Sequence, residues 1–162
     1  MPVASPQLPA SARSVLMNKE VVLLTGLPGC GKTTYLCQMC RDGWLVFDDF
    51  KALAFEDCSK FRSSRKFSAL IAALQDGLRC AVADIDFCDT NARNEAESIL
   101  HAEIAGLAVR WEFFANDRSA CEANIRTRSR SCLQRELDCL AKYSHSYNIP
   151  EGAVVLPVWQ KI

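Results

Sequence analysis

Residues 26–33, Gly-Leu-Pro-Gly-Cys-Gly-Lys-Thr, constrain the fold of this chain more than any other stretch. They satisfy G-x-x-x-x-G-K-[ST] at every fixed position. They also sit between segments of different periodicity. EVVLLT (20–25) is a short apolar run of the buried-strand type, and KTTYLCQMCRD (32–42) reads as a helix that Gly43 stops. A strand that passes through glycines into a helix N-terminus curls its backbone N–H groups toward one point.

The rest of the chain repeats the alternation. WLVFDD (44–49) predicts a second strand ending in two carboxylates, and residues 50–62 are irregular. SSRKFSALIAALQDG (63–77) has a Ser start, apolar i, i+3, i+4 spacing and a Gly stop, which predicts a helix. RCAVADIDF (79–87) predicts a third strand, residues 91–106 a helix, and LAVRWEFFA (107–115) a fourth strand. A helical stretch from Asp117 to Tyr143, hinged around NIRTRSRS, leads to a fifth strand, AVVLPVW (153–159). Strands separated by enough chain for a crossover imply an α/β fold: a parallel sheet with helices on both faces. The expected organisation is a tail over residues 1–18 and a single domain over 19–162.

The glycine loop points to a phosphate. The amides of Gly26, Leu27, Pro28, Gly29, Cys30, Gly31, Lys32, Thr33 and Thr34 form the expected cradle (Pro28 supplying only its carbonyl), and the helix end adds positive potential. In this Walker A pattern Lys32 reaches the β- and γ-phosphates and the Thr33 hydroxyl ligates Mg²⁺. The ligand is then a nucleoside triphosphate, and ATP is favoured because no N/T-K-x-D guanine signature is present.

Strand C-terminal ends line the ligand crevice of a parallel sheet, which draws in further residues. Asp48 and Asp49 end the second strand, suited to orienting or deprotonating an acceptor hydroxyl. The third strand offers Asp84, Asp86 and Asp89 for Mg²⁺. Counting from Cys80 favours Asp84, then Asp86 on the same side of an extended strand, with Asp89 in the loop or capping the next helix. Arg126, Arg128 and Arg130 follow the fourth strand, where an arginine can fold over the triphosphate and neutralise developing charge.

Composition removes several classes. Lys plus Arg and Asp plus Glu number 19 each, so no global field holds nucleic acid by charge alone. No apolar run approaches the roughly 20 residues of a membrane span, and the start of the chain lacks the pattern of a secretory leader. Nine cysteines are then read as mostly reduced thiols of a cytoplasmic protein. Cys37 and Cys40 are expected as small buried residues of the first helix. Cys30, beside Lys32 and inward-facing amides, is expected to have a lowered pKa.

These residues resemble the P-loop kinases of the polynucleotide 5′-hydroxyl kinase type, a group close to the gluconate and other small-molecule kinases. The likeness runs over about residues 19–159. GLPGCGKTTYL is very like their phosphate loop. FDDFK resembles their acidic-pair motif, whose first Asp is the general base, which assigns that role to Asp48. Lys51 falls where the polynucleotide kinases carry an arginine to substrate phosphate. ADIDFCDTNAR resembles their third-strand segment in two registers: a literal match puts Asp89-Thr90-Asn91 on the motif, and an ungapped strand match, which the strand length favours, puts Asp84 there with Asp86 in the place of the Asn. FFANDRSACEANIRTR resembles the approach to the lid arginine, where alignment on Phe114 selects Arg128 and alignment on Asn124 selects no arginine. The resemblance implies a three-layer P-loop fold with a five-stranded parallel sheet in the order 2-3-1-4-5. It also implies Mg·ATP as donor and a hydroxyl of a small molecule or a polynucleotide end as acceptor, and no specific protein partner. The rival readings are a P-loop ATPase or switch without an acceptor, and a degenerate kinase that binds ATP without transfer.

Overall fold

A computed structural model describes residues 19–49, 51–52, 67–128 and 131–160. The expected tail over residues 1–18, the start of the helix expected from 63, and Arg130 lie outside those residues.

β1 (Glu20–Thr25) is the spine of the sheet. It pairs in parallel with β4 (Cys80–Ala83) on one side and β5 (Ala108–Phe114) on the other. β2 (Leu45–Asp48) pairs in parallel with β4, and β6 (Val154–Leu156) with β5. The parallel order β2-β4-β1-β5-β6 is the 2-3-1-4-5 order expected of the five predicted strands. A sixth strand was not expected: β3 (Lys51–Ala52) doubles back antiparallel on β2 at the sheet edge. Asp49, at φ 51°, makes the left-handed turn between them.

β1 is apolar throughout its centre because both its faces are covered. Val21 and Leu23 point into one core with Leu70, Leu74, Phe87 and Leu100. Val22 and Leu24 point into the other, with Leu36, Met39 and Val46. The helices supplying these layers are α1 (Lys32–Arg41), α2 (Ser68–Gln75) and α3 (Thr90–Glu103). A third cluster lies under the glycine loop, where Leu27, Cys30, Phe114, Cys121, Ile125 and Tyr147 meet. It rests on α4 (Arg118–Thr127) and α5 (Leu133–Ser146), the two halves of the predicted hinged helix. The Tyr147 hydroxyl donates to Phe114 O at 2.6 Å and Thr25 O at 3.3 Å, tying together the ends of β5 and β1.

Two expectations need correction. The third predicted strand stops at Ala83 rather than at residue 87. The Asp84 carboxylate accepts a hydrogen bond from the Asp86 N–H at 2.8 Å and winds Ile85–Cys88 into a 3₁₀ turn. Asp84 and Asp86 are therefore not two positions of one extended strand. Cys37 and Cys40 are exposed, not buried, because α1 turns Leu36 and Met39 inward and presents the intervening positions to solvent.

Candidate nucleotide site

The site is built at the C-terminal end of β1, where Gly26–Gly31 turn the chain into α1. Gly29 and Gly31 have φ of 83° and 107°, a region an L side chain enters only with strain. Space is equally restrictive. A Cβ on Gly31 would lie 2.4 Å from the Trp159 Cβ, and one on Gly29 2.5 Å from the Cys121 carbonyl oxygen. The loop is held from outside by the segment after β6: the Trp159 N–H donates to Cys30 O at 2.9 Å. Asn124 of α4 adds two bonds from its Nδ2, to Gly29 O at 2.9 Å and Trp159 O at 2.5 Å.

Lys32 reaches back across the loop. Its Nζ donates to Gly26 O at 2.6 Å and Leu27 O at 3.0 Å, and lies 3.8 Å from Cys30 Sγ. The Thr33 hydroxyl donates to Asp48 Oδ2 at 2.9 Å, bringing the start of α1 and the end of β2 into contact. Asp49 follows, its N–H donating to Ala83 O at 2.8 Å, which fixes the end of β2 against β4.

A cavity of about 440 Å³ opens over these groups, lined by Lys32, Thr33, Asp48 and Asp49 together with Arg128 and Arg135. A second cavity, of about 270 Å³, shares Gly29, Gly31, Thr33, Thr34 and Arg128 with it and adds Asn124 and Trp159.

The remaining candidates divide. Arg128, at the C-cap of α4, lines both cavities. Arg126 lines neither; it is exposed and pairs with Glu122 at 2.7 Å, one turn back on its own helix. Asp84 is at the crevice end of β4 but only 3% exposed, with its carboxylate engaged by the 3₁₀ turn. Asp86 lines a separate depression with Lys142 and Tyr143, together with Asp89. Asp89 caps α3, accepting from the Asn91 N–H at 2.6 Å. The side chain of Lys51 lies outside the described residues.

Cys30 corrects another expectation. Its thiol is fully buried, and burial pushes its pKa up by more than the Lys32 ammonium pulls it down. Cys88 and Cys121, in the same cluster, are pushed up to about 11 and about 12 for the same reason. These are packing thiols, not activated ones.

Sequence reasoning missed Asn124, Trp159 and the α5 face. Cys132, Arg135, Glu136 and Cys139 line the larger cavity at i, i+3, i+4 and i+7, a spacing that was legible as one helix face. Asn124 and Trp159 carry no such signal, since their positions depend on the close approach of α4 and the C-terminal segment.

A cation fits the donor set in a limited way. Among the described residues no group of three or more His, Cys, Asp or Glu converges on one point. The Thr33 hydroxyl and Asp48 carboxylate are hard oxygen donors within a hydrogen bond of each other. That suits an ion such as Mg²⁺, which takes one or two protein oxygens and completes its shell with phosphate and water.

No protein-family model matches the chain. No curated protein matches it either. Solved structures do. The chain is similar to the structure described as APE1195, with a TM-score of 0.55 and 21% identity over 87% of this chain and 86% of that one. It is also similar to a chain of the Pnkp1/Rnl/Hen1 RNA repair complex, at TM-score 0.50 and 16% identity. That match covers 82% of this chain and 48% of the other, so the chain spans about half its length. A looser likeness, TM-score 0.45 and 12% identity, is to shikimate kinase from Bacteroides thetaiotaomicron, over 85% of each chain. At these identities the likeness is one of fold. The fold is the expected three-layer P-loop α/β fold, with five parallel strands in the order 2-3-1-4-5.

Proposed function

We propose that this chain is a Mg·ATP-dependent kinase that transfers the γ-phosphate to a hydroxyl of a small molecule or of a nucleic-acid 5′ end. The observation that carries the reading is the contact of Thr33 with Asp48, because it sets a carboxylate at the phosphate end of the loop and inside the same cavity as Lys32.

In this reading the loop amides and Lys32 hold the phosphates. On nucleotide arrival Lys32 exchanges the carbonyls of Gly26 and Leu27 for phosphate oxygens, which bear full charge and are the better acceptors. Mg²⁺ would be held by Thr33 with support from Asp84 at the end of β4, and would supply charge neutralisation at the phosphates. Asp48 orients the acceptor hydroxyl and takes its proton as the acceptor oxygen bonds to the γ-phosphorus. The bond from that phosphorus to the β–γ bridging oxygen breaks, and ADP leaves with the electron pair. Arg128 lines the same cavity, which supports its role in neutralising charge on the transferring group.

The described residues form one sheet, which supports a single domain from residue 19 onward. No described helix is long and apolar enough to cross a membrane.

The test is ADP release from Mg·ATP with and without 5′-hydroxyl oligonucleotides, nucleosides, sugars and sugar acids, repeated with Asp48→Asn. Stimulation by one class, lost by about 10²–10⁴ in kcat in the variant, supports the kinase. Slow hydrolysis that ignores every acceptor and survives Asp48→Asn supports the switch or degenerate alternative.

A further inference from the structure

The two cavities meet at the phosphate loop and Arg128, but only the larger holds Asp48 and only the smaller holds Asn124 and Trp159. A nucleoside triphosphate is a linear ligand. If its γ-phosphate faces Asp48, its nucleoside leaves the loop at the other end, into the cavity beside Thr34, Asn124 and Trp159.

Asn124 lines that cavity, and its amide orientation is defined. Its Nδ2 faces two carbonyl oxygens, Gly29 O at 2.9 Å and Trp159 O at 2.5 Å. Only the NH₂ half of an amide can donate to both, so the flipped orientation is excluded. That spends both amide hydrogens and leaves Oδ1 as a pure acceptor, one that accepts no hydrogen bond among the described residues. Trp159 stands beside it, 46% exposed although its main chain is pinned to Cys30 and Asn124. A large aromatic ring held on a fixed backbone at a cavity wall is a stacking platform for a base.

We propose that Asn124 selects the nucleotide base: its side-chain carbonyl accepts a hydrogen bond from the exocyclic 6-amino group of an adenine stacked on Trp159. The proposal rests on the triphosphate reading and deepens it. A purine with hydrogen at C6 leaves the carbonyl unmatched. A purine with oxygen at C6 sets two acceptors against each other.

The test is calorimetric binding of ATP, purine riboside triphosphate and inosine triphosphate, each with Mg²⁺, to the full chain. The three share phosphates and ribose and differ only at the purine six-position and its ring proton. ATP is expected to bind about 3- to 10-fold more tightly than purine riboside triphosphate, the worth of one hydrogen bond, and inosine triphosphate more weakly still. In Asn124→Ala the ratio of ATP to purine riboside triphosphate should fall to within about twofold of unity, whatever happens to absolute affinity. A mere clip on the loop would weaken all three ligands alike and keep the ratio. Equal affinities in the unmodified chain, or a ratio preserved in Asn124→Ala, would overturn the base-selection proposal while leaving the triphosphate reading standing. No binding of any of the three would overturn both.

Discussion

Replacing Gly31 by alanine should damage this protein through two separable mechanisms. The first is backbone strain: φ is 107°, and a residue with a Cβ held there costs about 1–3 kcal/mol. The second is collision, since the new Cβ would lie 2.4 Å from the Trp159 Cβ. To escape it the C-terminal segment must move, which breaks the bonds of Trp159 N–H to Cys30 O and of Asn124 to Trp159 O. Each is worth about 1 kcal/mol. Gly31→Ala should therefore cost about 3–5 kcal/mol, the sum of these terms. At about 2–4 °C per kcal/mol for a domain of this size, Tm should fall by roughly 6–20 °C. Trp159→Gly removes the colliding atom and isolates the first mechanism. In that background Gly31→Ala should cost only about 1–3 kcal/mol, giving a coupling of about 2 kcal/mol. Urea denaturation of the two single variants and the double variant measures both quantities. A Gly31→Ala cost below about 0.5 kcal/mol, within the range of an unremarkable surface change, would refute the reasoning. Zero coupling with Trp159 would refute the claim that the C-terminal segment braces the loop.

Other consequences are simpler. Burial raises the thiol pKa of Cys80 and Cys121 to about 12 and of Cys88 to about 11, from an ordinary value of 9.0. Folding thus favours the protonated thiols: their contribution is complete below pH 9 and lost as pH rises toward 11–12, so the urea midpoint should fall across that window and stay flat with respect to these thiols from pH 7 to 8.5. Iodoacetamide at pH 8 should label the exposed Cys37 and Cys40 well before Cys30, as peptide mapping would reveal. Arg126→Ala removes an exposed ion pair and should change stability by no more than about 0.5 kcal/mol with ATP affinity unaltered, whereas Arg128→Ala should weaken ATP binding about tenfold or more in the same titration. Tyr147→Phe takes the donor from the buried Phe114 and Thr25 carbonyls and should cost about 1–3 kcal/mol in denaturation.

What the sequence makes legible here is local chemistry with a strict pattern. The glycine spacing before Lys32 admits few backbones, and apolar runs alternating with helical segments admit few sheets, so the loop, the parallel α/β sheet and the position of Asp48 at a strand end follow from residues alone, whereas the strand order follows from the family resemblance. The failures share a cause. RCAVADIDF reads as one extended strand with Asp86 on the same side as Asp84, because its apolar run continues through Ile85 and Phe87. A carboxylate that can accept from the N–H two residues on competes with the strand, and here it wins. Cys37 and Cys40 were assigned inward on residue type, whereas Leu36 and Met39 own the apolar stripe of α1. Asn124, Arg135 and Trp159 converge on the loop from separate parts of the chain, a convergence set by tertiary packing that one-dimensional patterns do not carry.

The most direct test of the central claim is ADP formation from Mg·ATP in the presence of a hydroxyl acceptor panel. One acceptor class should stimulate turnover, the product should carry the γ-phosphate, and Asp48→Asn should abolish the stimulation while ATP still binds. Turnover indifferent to every acceptor and to Asp48 would contradict it.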